Sequence, residues 1–432
     1  MFRKISLFLK QWKNNKYRKP LIIQGARQVG KTYSILEFGK KNFENVAYFN
    51  FQTNPVYSKC FDENITPEYL IPMLSHLCGQ TIIAGKTLIV FDEIQLCQKA
   101  LTSLKYFCEL APEYHVISAG SLLGIAVNRN SFSFPVGKVD RITMHPLDIE
   151  EFMLAFSENK TIEIIKDCFA SNSPMPAVLH EASLNLYKKY LIIGGMPEAV
   201  ARFIETSDFT LVRHIQNSIL SDYLDDMSKY QATAKEIQKT RQTYNNITVQ
   251  LSKKNTRFIY KLIKKGARAS EFENAIEWLI LANIVSRVNR LEQVKKPLEN
   301  YIDIDAFKIY MSDLGLLCAK NEIAPNDILF GLPEINDFKG GIAENYVNIH
   351  LNANGYKAYY WETLSYSEID FLINKNNSII PIEVKSEDNT RSKSLIKYIQ
   401  SYKPEYAIKI SSKNFAYEDG IKHIPHYAVF CI

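Results

Sequence analysis

The chain has 432 residues, 46% hydrophobic and 23% charged, with only 17 Gly and 16 Pro; at about 150 residues per domain this suggests roughly three folded domains and excludes a largely disordered chain. No apolar run approaches the roughly 18 residues of a membrane-spanning helix, Met1 to Pro20 intersperses Leu7, Phe8 and Leu9 with Lys and Arg instead of forming a signal sequence, and the seven cysteines hold no C-x-x-C pair, which excludes a disulfide framework and a zinc ribbon. No membrane contact and a cytoplasmic location are expected, and the net charge of +6 is too mild to demand a polyanionic partner.

Short apolar runs at Leu21 to Ile23, Ala47 to Phe51, Leu88 to Phe91 and Tyr114 to Ile117 alternate with helical stretches, the pattern of an α/β parallel sheet. After the first run, Gly25-Ala26-Arg27-Gln28-Val29-Gly30-Lys31-Thr32 fits G-x-x-x-x-G-K-[ST] and leads into the helical stretch from Tyr33. Strand, loop and helix are the context this phosphate-binding motif requires. Small Gly25 and Gly30 let backbone N–H groups approach a β-phosphate at the positive end of the helix. Lys31 would bridge the β- and γ-phosphates, and the Thr32 hydroxyl would be a ligand of Mg²⁺.

The strand Leu88 to Phe91 ends in Asp92-Glu93. Asp92 would hold Mg²⁺ through a water and Glu93 would polarise the attacking water; the bland reading is a helix cap. Because Ala47 to Phe51 intervenes, the Asp-bearing strand is the third, which points to the additional-strand, catalytic-Glu class of ATPases. Ser121, after the fourth strand, is the first choice for sensing a γ-phosphate, with a turn-forming serine as the alternative. Arg129, Lys138 and Arg141 are candidates for neutralising transition-state charge. The absence of a separate N-K-x-D signature favours ATP over GTP.

From Pro146 to about Tyr230 the pattern is helical, broken at Gly194-Gly195 and Pro197, and reads as a lid or connector. Ten cations against Glu236 alone lie between Lys235 and Arg268. Those from Lys253 to Arg268 are expected on a helix preceding a second one, from about Ala269 to Leu281, which buries Phe272, Ala275, Ile276 and Leu279. Strands Ile284 to Arg290 and Ala306 to Met311 would complete a winged helix. The cations suit phosphate contacts with DNA, and a solvated helical face fits them equally.

After a polar connector, the tail reads as helix Ile342 to Asn352, strands Lys357 to Trp361, Glu368 to Ile373 and Ser378 to Lys385, helix Ser392 to Ser401 and strand Tyr406 to Ile410. Asp370, Glu383, Lys385 and Glu344 can converge there. Asp370 and Glu383 would hold Mg²⁺, Lys385 would activate water and Glu344 would assist the metal; an ordinary cross-strand Glu/Lys pair is the alternative. His423-x-x-His426 lacks partners suited to zinc.

With these motifs placed, nearly the whole chain resembles a prokaryotic family of AAA-like P-loop ATPases with a C-terminal domain of unknown function. The resemblance is carried by residues 25–32, Phe91-Asp92-Glu93-Ile94-Gln95, Gly120-Ser121, Gly194-Gly195-Met196-Pro197-Glu198 and 308–316. Glu344-Asn345-Tyr346-Val347, Glu368-Ile369-Asp370-Phe371 and Glu383-Val384-Lys385 look like the restriction-endonuclease-like fold of the PD-(D/E)XK superfamily, without the proline before Asp370. Lys138 stands where such relatives often show an arginine.

The resemblance implies an ATP site formed by Gly25, Ala26, Arg27, Gln28, Val29, Gly30, Lys31, Thr32 and Tyr33. The expected architecture is α/β: a P-loop core at 1–146, a helical lid at 147–234, a winged helix at 235–320 and a nuclease-like α/β domain at 338–432. The expected activity is Mg²⁺-dependent ATP hydrolysis directed at DNA, with a metal-dependent nuclease tail. The competing expectation is an ATP-gated switch whose tail binds DNA or protein without cutting. A protein partner or a second copy of the chain stays open.

Overall fold

The computed structural model describes residues 1–125, 134–231, 233–253, 257–331, 336–363, 367–386 and 392–432. Backbone contacts divide the chain into two units, residues 2–145 with 281–283, and residues 146–280 with 284–432.

In the first unit, β1 (Leu21–Gln24), β2 (Asn45–Asn50), β3 (Thr87–Asp92), β4 (His115–Gly120) and β5 (Asp140–Thr143) form a parallel sheet in the order β2-β3-β4-β1-β5. Strands β3 and β4 are buried along their whole length, as strands covered on both faces are. Phe49, Phe51, Phe61, Phe91 and Phe107 pack in one cluster with Leu70, Leu74 and Leu104. Strand β4 lies between β1 and β3, so the strand carrying Asp92 does not border the strand before the glycine loop. The strand carrying Asp92 is the third in sequence, as the intervening run at 47–51 implies. The fifth strand escaped notice because Asp140 to Thr143 lacks an apolar run and only half-buries its residues.

The second unit contains an eight-stranded mixed sheet. With β6 (Val285–Leu291), β7 (Ile302–Met311), β8 (Tyr359–Glu362), β9 (Glu368–Lys375), β10 (Ser378–Val384), β11 (Ala407–Ser411), β12 (Ala416–Glu418) and β13 (Ile421–Pro425), its order is β12-β13-β11-β10-β9-β8-β6-β7. The ribbon expected as a wing is therefore two strands of the tail's own sheet, joined by parallel pairing of Asn289 with Tyr359 and Arg290 with Tyr360. That pairing crosses the polar connector that was expected to separate residues 235–320 from 338–432.

The helix expected over Lys253 to Arg268 is also replaced. Among the described residues of that stretch only the turn Tyr260–Leu262 is helical, and Lys254 lies outside the described residues. Phe258 is buried, stacks on Phe307 and donates its N–H to the Phe307 carbonyl at 2.8 Å. An apolar anchor onto β7 outweighs the local propensity of a lysine-rich stretch. The following helix, Ala269–Leu281, buries Phe272, Ala275, Ile276 and Leu279 as its spacing predicts.

Two motifs far apart in sequence lock together in this unit. After the helix Ala177–Ile193, Gly194 adopts φ +74°, and a Cβ there would lie 2.4 Å from Asp313 Oδ1. The Asp313 carboxylate accepts the N–H of Gly195 at 2.6 Å and that of Leu316 at 2.8 Å. Gln216 donates to the carbonyls of Ile192 and Ile193. At the helix Asn336–Ala353, His350 Nε2 accepts the Ile149 N–H at 2.9 Å while Nδ1 faces the Tyr346 carbonyl at 2.8 Å. The ring is thus neutral with its proton on Nδ1.

Burial raises the Asp313 carboxyl to about 6 from its ordinary 3.8, despite the N–H groups that favour its charge. A raised folded pKa favours the protonated form. Its stabilisation is therefore complete below about pH 4 and lost as the pH rises through 6. Urea unfolding should show Asp313→Ala losing about 2–4 kcal/mol through stranded N–H groups. The stability of wild type relative to Asp313→Asn should fall between pH 4 and 6; a flat difference would contradict the buried carboxyl.

Candidate functional site

The glycine loop joins β1 to the helix Lys31–Asn42. Gly25 has φ +148°, and a Cβ there would lie 2.2 Å from the Met144 carbonyl oxygen just beyond β5, so only glycine fits. Gly30 at φ +90° and Gln28 at φ +64° turn the backbone into the helix. Ala26 and Val29 are buried beneath the loop. Arg3, which sequence reasoning missed, donates to the Val29 carbonyl at 2.8 Å and the His145 carbonyl at 2.7 Å. Its partners are backbone atoms, which leave no trace in a residue pattern.

Lys31 is only 8% exposed and donates to the Gly25 and Ala26 carbonyls at 2.9 and 2.8 Å. Burial lowers its pKa to about 8, against the opposing pull of Glu93 and Asp92. The Thr32 hydroxyl donates to Asp92 Oδ2 at 2.8 Å. The Tyr48 hydroxyl donates to that oxygen at 2.7 Å, and Asn50, the register partner of Asp92, reaches both. Burial and the bond to Asp92 push the Tyr48 phenol up to about 12, against the effect of Asn50. Residues 48 and 50 share a strand face, so period-two alternation could have flagged them once β2 was placed beside β3.

Glu93 sits in the left-handed region at φ +52°, with its N–H on Asp92 Oδ1 at 3.1 Å. Its Oε2 accepts from Gln95 Nε2 at 2.5 Å, and a Cβ at Gly120 would lie 2.5 Å from Gln95 Oε1. Gln95 thus spans from the Glu93 carboxylate to the end of β4, where Ser121 is buried. Tyr33 is 59% exposed beside the loop. Of the charge-neutralising candidates, Lys138 pairs with Glu109 at 2.9 Å, the Arg141 guanidinium lies 3.9 Å from the Phe134 ring centroid, and Arg129 lies outside the described residues.

In the second unit the expected tail residues occupy one charged neighbourhood. Lys385 Nζ lies 2.5 Å from Glu383 Oε1, and Asp370 Oδ2 accepts the Val384 N–H at 2.7 Å. Burial, then Glu383 and Glu344, push the Asp370 carboxyl well above the usual range. Sequence reasoning missed Lys308. Wholly buried, its Nζ lies 3.0 Å from Glu344 and 2.5 Å from Glu368, and Tyr310 donates to Glu344 at 2.7 Å. Burial opposes its charge, but Glu344, Tyr310, Glu368 and Asp370 outweigh it and hold the ammonium well above its ordinary pKa. Among the described residues no group of three or more His, Cys, Asp or Glu is placed to hold a metal ion.

The loop geometry makes a direct prediction. Gly25→Ala should lower the thermal midpoint of the first unit, by about 1–3 kcal/mol of stability, because the new methyl meets a fixed carbonyl. An unchanged midpoint would mean that this close approach is absent.

Residues 17–153 match an AAA domain, and residues 184–327 and 339–429 match two domains of unknown function, DUF8612 and DUF4143. No curated protein matches the chain. Similar solved structures include a Walker-type ATPase of Pyrococcus abyssi, PABY2304, at 14% identity and TM-score 0.42, covering 73% of this chain and 94% of that one. The Aeropyrum pernix ORC2 protein is similar at 12% identity and TM-score 0.35, covering 76% and 94%. C. elegans PCH-2 is similar at 10% identity and TM-score 0.27, covering 48% and 61%. These likenesses are low, and the assignment rests on the domain match, the glycine loop and the strand order. Residues 17–153 are thus similar to an AAA domain, and their glycine loop and five-stranded parallel sheet fit that likeness.

Proposed function

We propose that the protein binds and hydrolyses ATP with Mg²⁺ and uses the nucleotide state to control engagement of DNA. One observation carries the ATP reading: the Thr32 hydroxyl and the Asp92 carboxylate meet at 2.8 Å directly after a loop closed by a buried lysine. Adjacent hydroxyl and carboxylate oxygens are the hard donors that Mg²⁺ prefers, so Thr32 and Asp92 would hold it, with Tyr48 and Asn50 fixing the carboxylate. The ion would neutralise charge on the β- and γ-phosphate oxygens.

The chain's own groups do the rest. Lys31 exchanges its bonds to the Gly25 and Ala26 carbonyls for phosphate oxygens, and the amides of residues 25–33 bind the phosphates at the helix N-terminus. Glu93 takes the attacking water as general base, with Gln95 orienting its carboxylate, and Ser121 faces the γ-phosphate. Lys31→Ala should abolish ATP turnover. Glu93→Gln should keep nucleotide binding and lose at least about a hundredfold in turnover, the scale of a general base; full turnover in either variant would refute the site.

The basic residues between Lys235 and Arg268 are the DNA-engaging surface of this proposal. Binding to duplex should weaken steeply with salt, and a slope near zero on log–log axes would exclude multiple phosphate contacts. For the tail, the nuclease reading assigns the metal to Asp370, Glu383 and Glu344 and water activation to Lys385. The second reading, binding of nucleic acid or a protein without cleavage, is favoured by Lys308, which pairs with one of those expected ligands. Nicking of duplex, single-stranded or branched DNA with Mg²⁺ or Mn²⁺, lost in Asp370→Ala, would reinstate the nuclease.

A further inference from the structure

The endonuclease-like resemblance of the tail implies a divalent metal on Asp370, Glu383 and Glu344, and these residues do not fit one. One oxygen of each is engaged by a group of the chain itself, and although Glu383 Oε2 is buried with no hydrogen-bond partner, a single free oxygen does not make a metal shell. Glu344 Oε2 receives both the Lys308 ammonium, at 3.0 Å, and the Tyr310 hydroxyl, at 2.7 Å. Glu383 Oε1 faces Lys385 Nζ at 2.5 Å, and Asp370 Oδ2 is committed to the Val384 N–H at 2.7 Å. A Mg²⁺ ion needs near-octahedral oxygens at about 2.0–2.1 Å, and among the described residues no such carboxylate group converges.

Lys308 itself demands explanation. It stands in β7 between buried Phe307 and Ile309, is wholly buried, and lies against two carboxylates from separate elements, Glu344 of the helix Asn336–Ala353 and Glu368 of β9. An ammonium in a dry interior persists only where opposite charge surrounds it. That environment is what a divalent cation would seek, and a fixed ammonium within it repels any second cation. The lysine also comes from the segment at 184–327, whereas both carboxylates belong to the segment at 339–429.

We propose that Lys308 is a resident cation in the place of a metal. The acidic cluster of Glu344, Glu368 and Asp370 is a metal-independent ion-pair hub that fastens β7 to the tail, and it does not hydrolyse phosphodiesters. This inference stands independently of the ATP site, and its test uses no nucleotide.

The test is a Mn²⁺ titration of the nucleotide-free full chain, followed by the electron paramagnetic resonance signal of the free ion. Wild type and Asp370→Asn should bind Mn²⁺ equally. Lys308→Met should gain one ion per chain with at least about tenfold higher affinity than any tail binding in wild type, and Lys308→Met/Asp370→Asn should lose it again. Weaker binding in Asp370→Asn than in wild type would overturn the proposal, as would a folded Lys308→Met that gains no ion. Should Lys308→Met fail to fold by circular dichroism, the wild type and Asp370→Asn comparison decides alone, with Glu383→Gln as its replicate.

Discussion

The buried ammonium of Lys31 is the constraint around which the first unit is organised. A lysine head removed from water is costly unless oxygens surround it, and here the oxygens are the carbonyls of Gly25 and Ala26, with Asp92 and Glu93 adding opposite charge. Those carbonyls point inward only because the loop turns through positive φ at Gly25, Gln28 and Gly30. The Met144 carbonyl packs against Gly25 and Arg3 bonds the Val29 carbonyl, and both hold the loop in this turn. The parallel strand order then brings Asp92, Glu93 and Ser121 to the carboxyl edge of the sheet, where an open α/β sheet places its ligands.

The two units treat buried charge differently. In the first, Lys31 is bound by neutral carbonyls that a phosphate can displace, and Asp92 is held by hydroxyls and an amide. In the second, Lys308 is bound by carboxylates. Removing a carboxylate would leave the wholly buried ammonium of Lys308 short of opposite charge, which is costly, so this cluster resists exchange. The first arrangement suits a site that must accept and release an anion, and the second suits a joint.

Local patterns made the first unit legible. The glycine loop, the acidic end of β3 and the intervening strand were visible in chain order, and in the structure the Thr32 hydroxyl meets Asp92 beside the buried Lys31. What stayed hidden depends on partners distant in sequence. Arg3 acts on backbone carbonyls, Tyr48 and Asn50 acquire meaning only from register with β3, and the half-buried β5 carries no apolar signature. In the second unit, the lysine-rich stretch after Lys253 offered helical propensity but no view of Phe258 docking on Phe307. Lys308 looked like one charge in an apolar run, because only the pairing of β6 with β8 joins β7 to the tail's sheet.

The account stands or falls on whether the loop at residues 25–32 accepts a nucleoside triphosphate. Calorimetric titration of the full chain with a non-hydrolysable ATP analogue and Mg²⁺ addresses this without relying on turnover. The account predicts one site per chain, with binding removed when Lys31 is replaced by Ala. No heat of association in wild type, or equal binding by the variant, would contradict it.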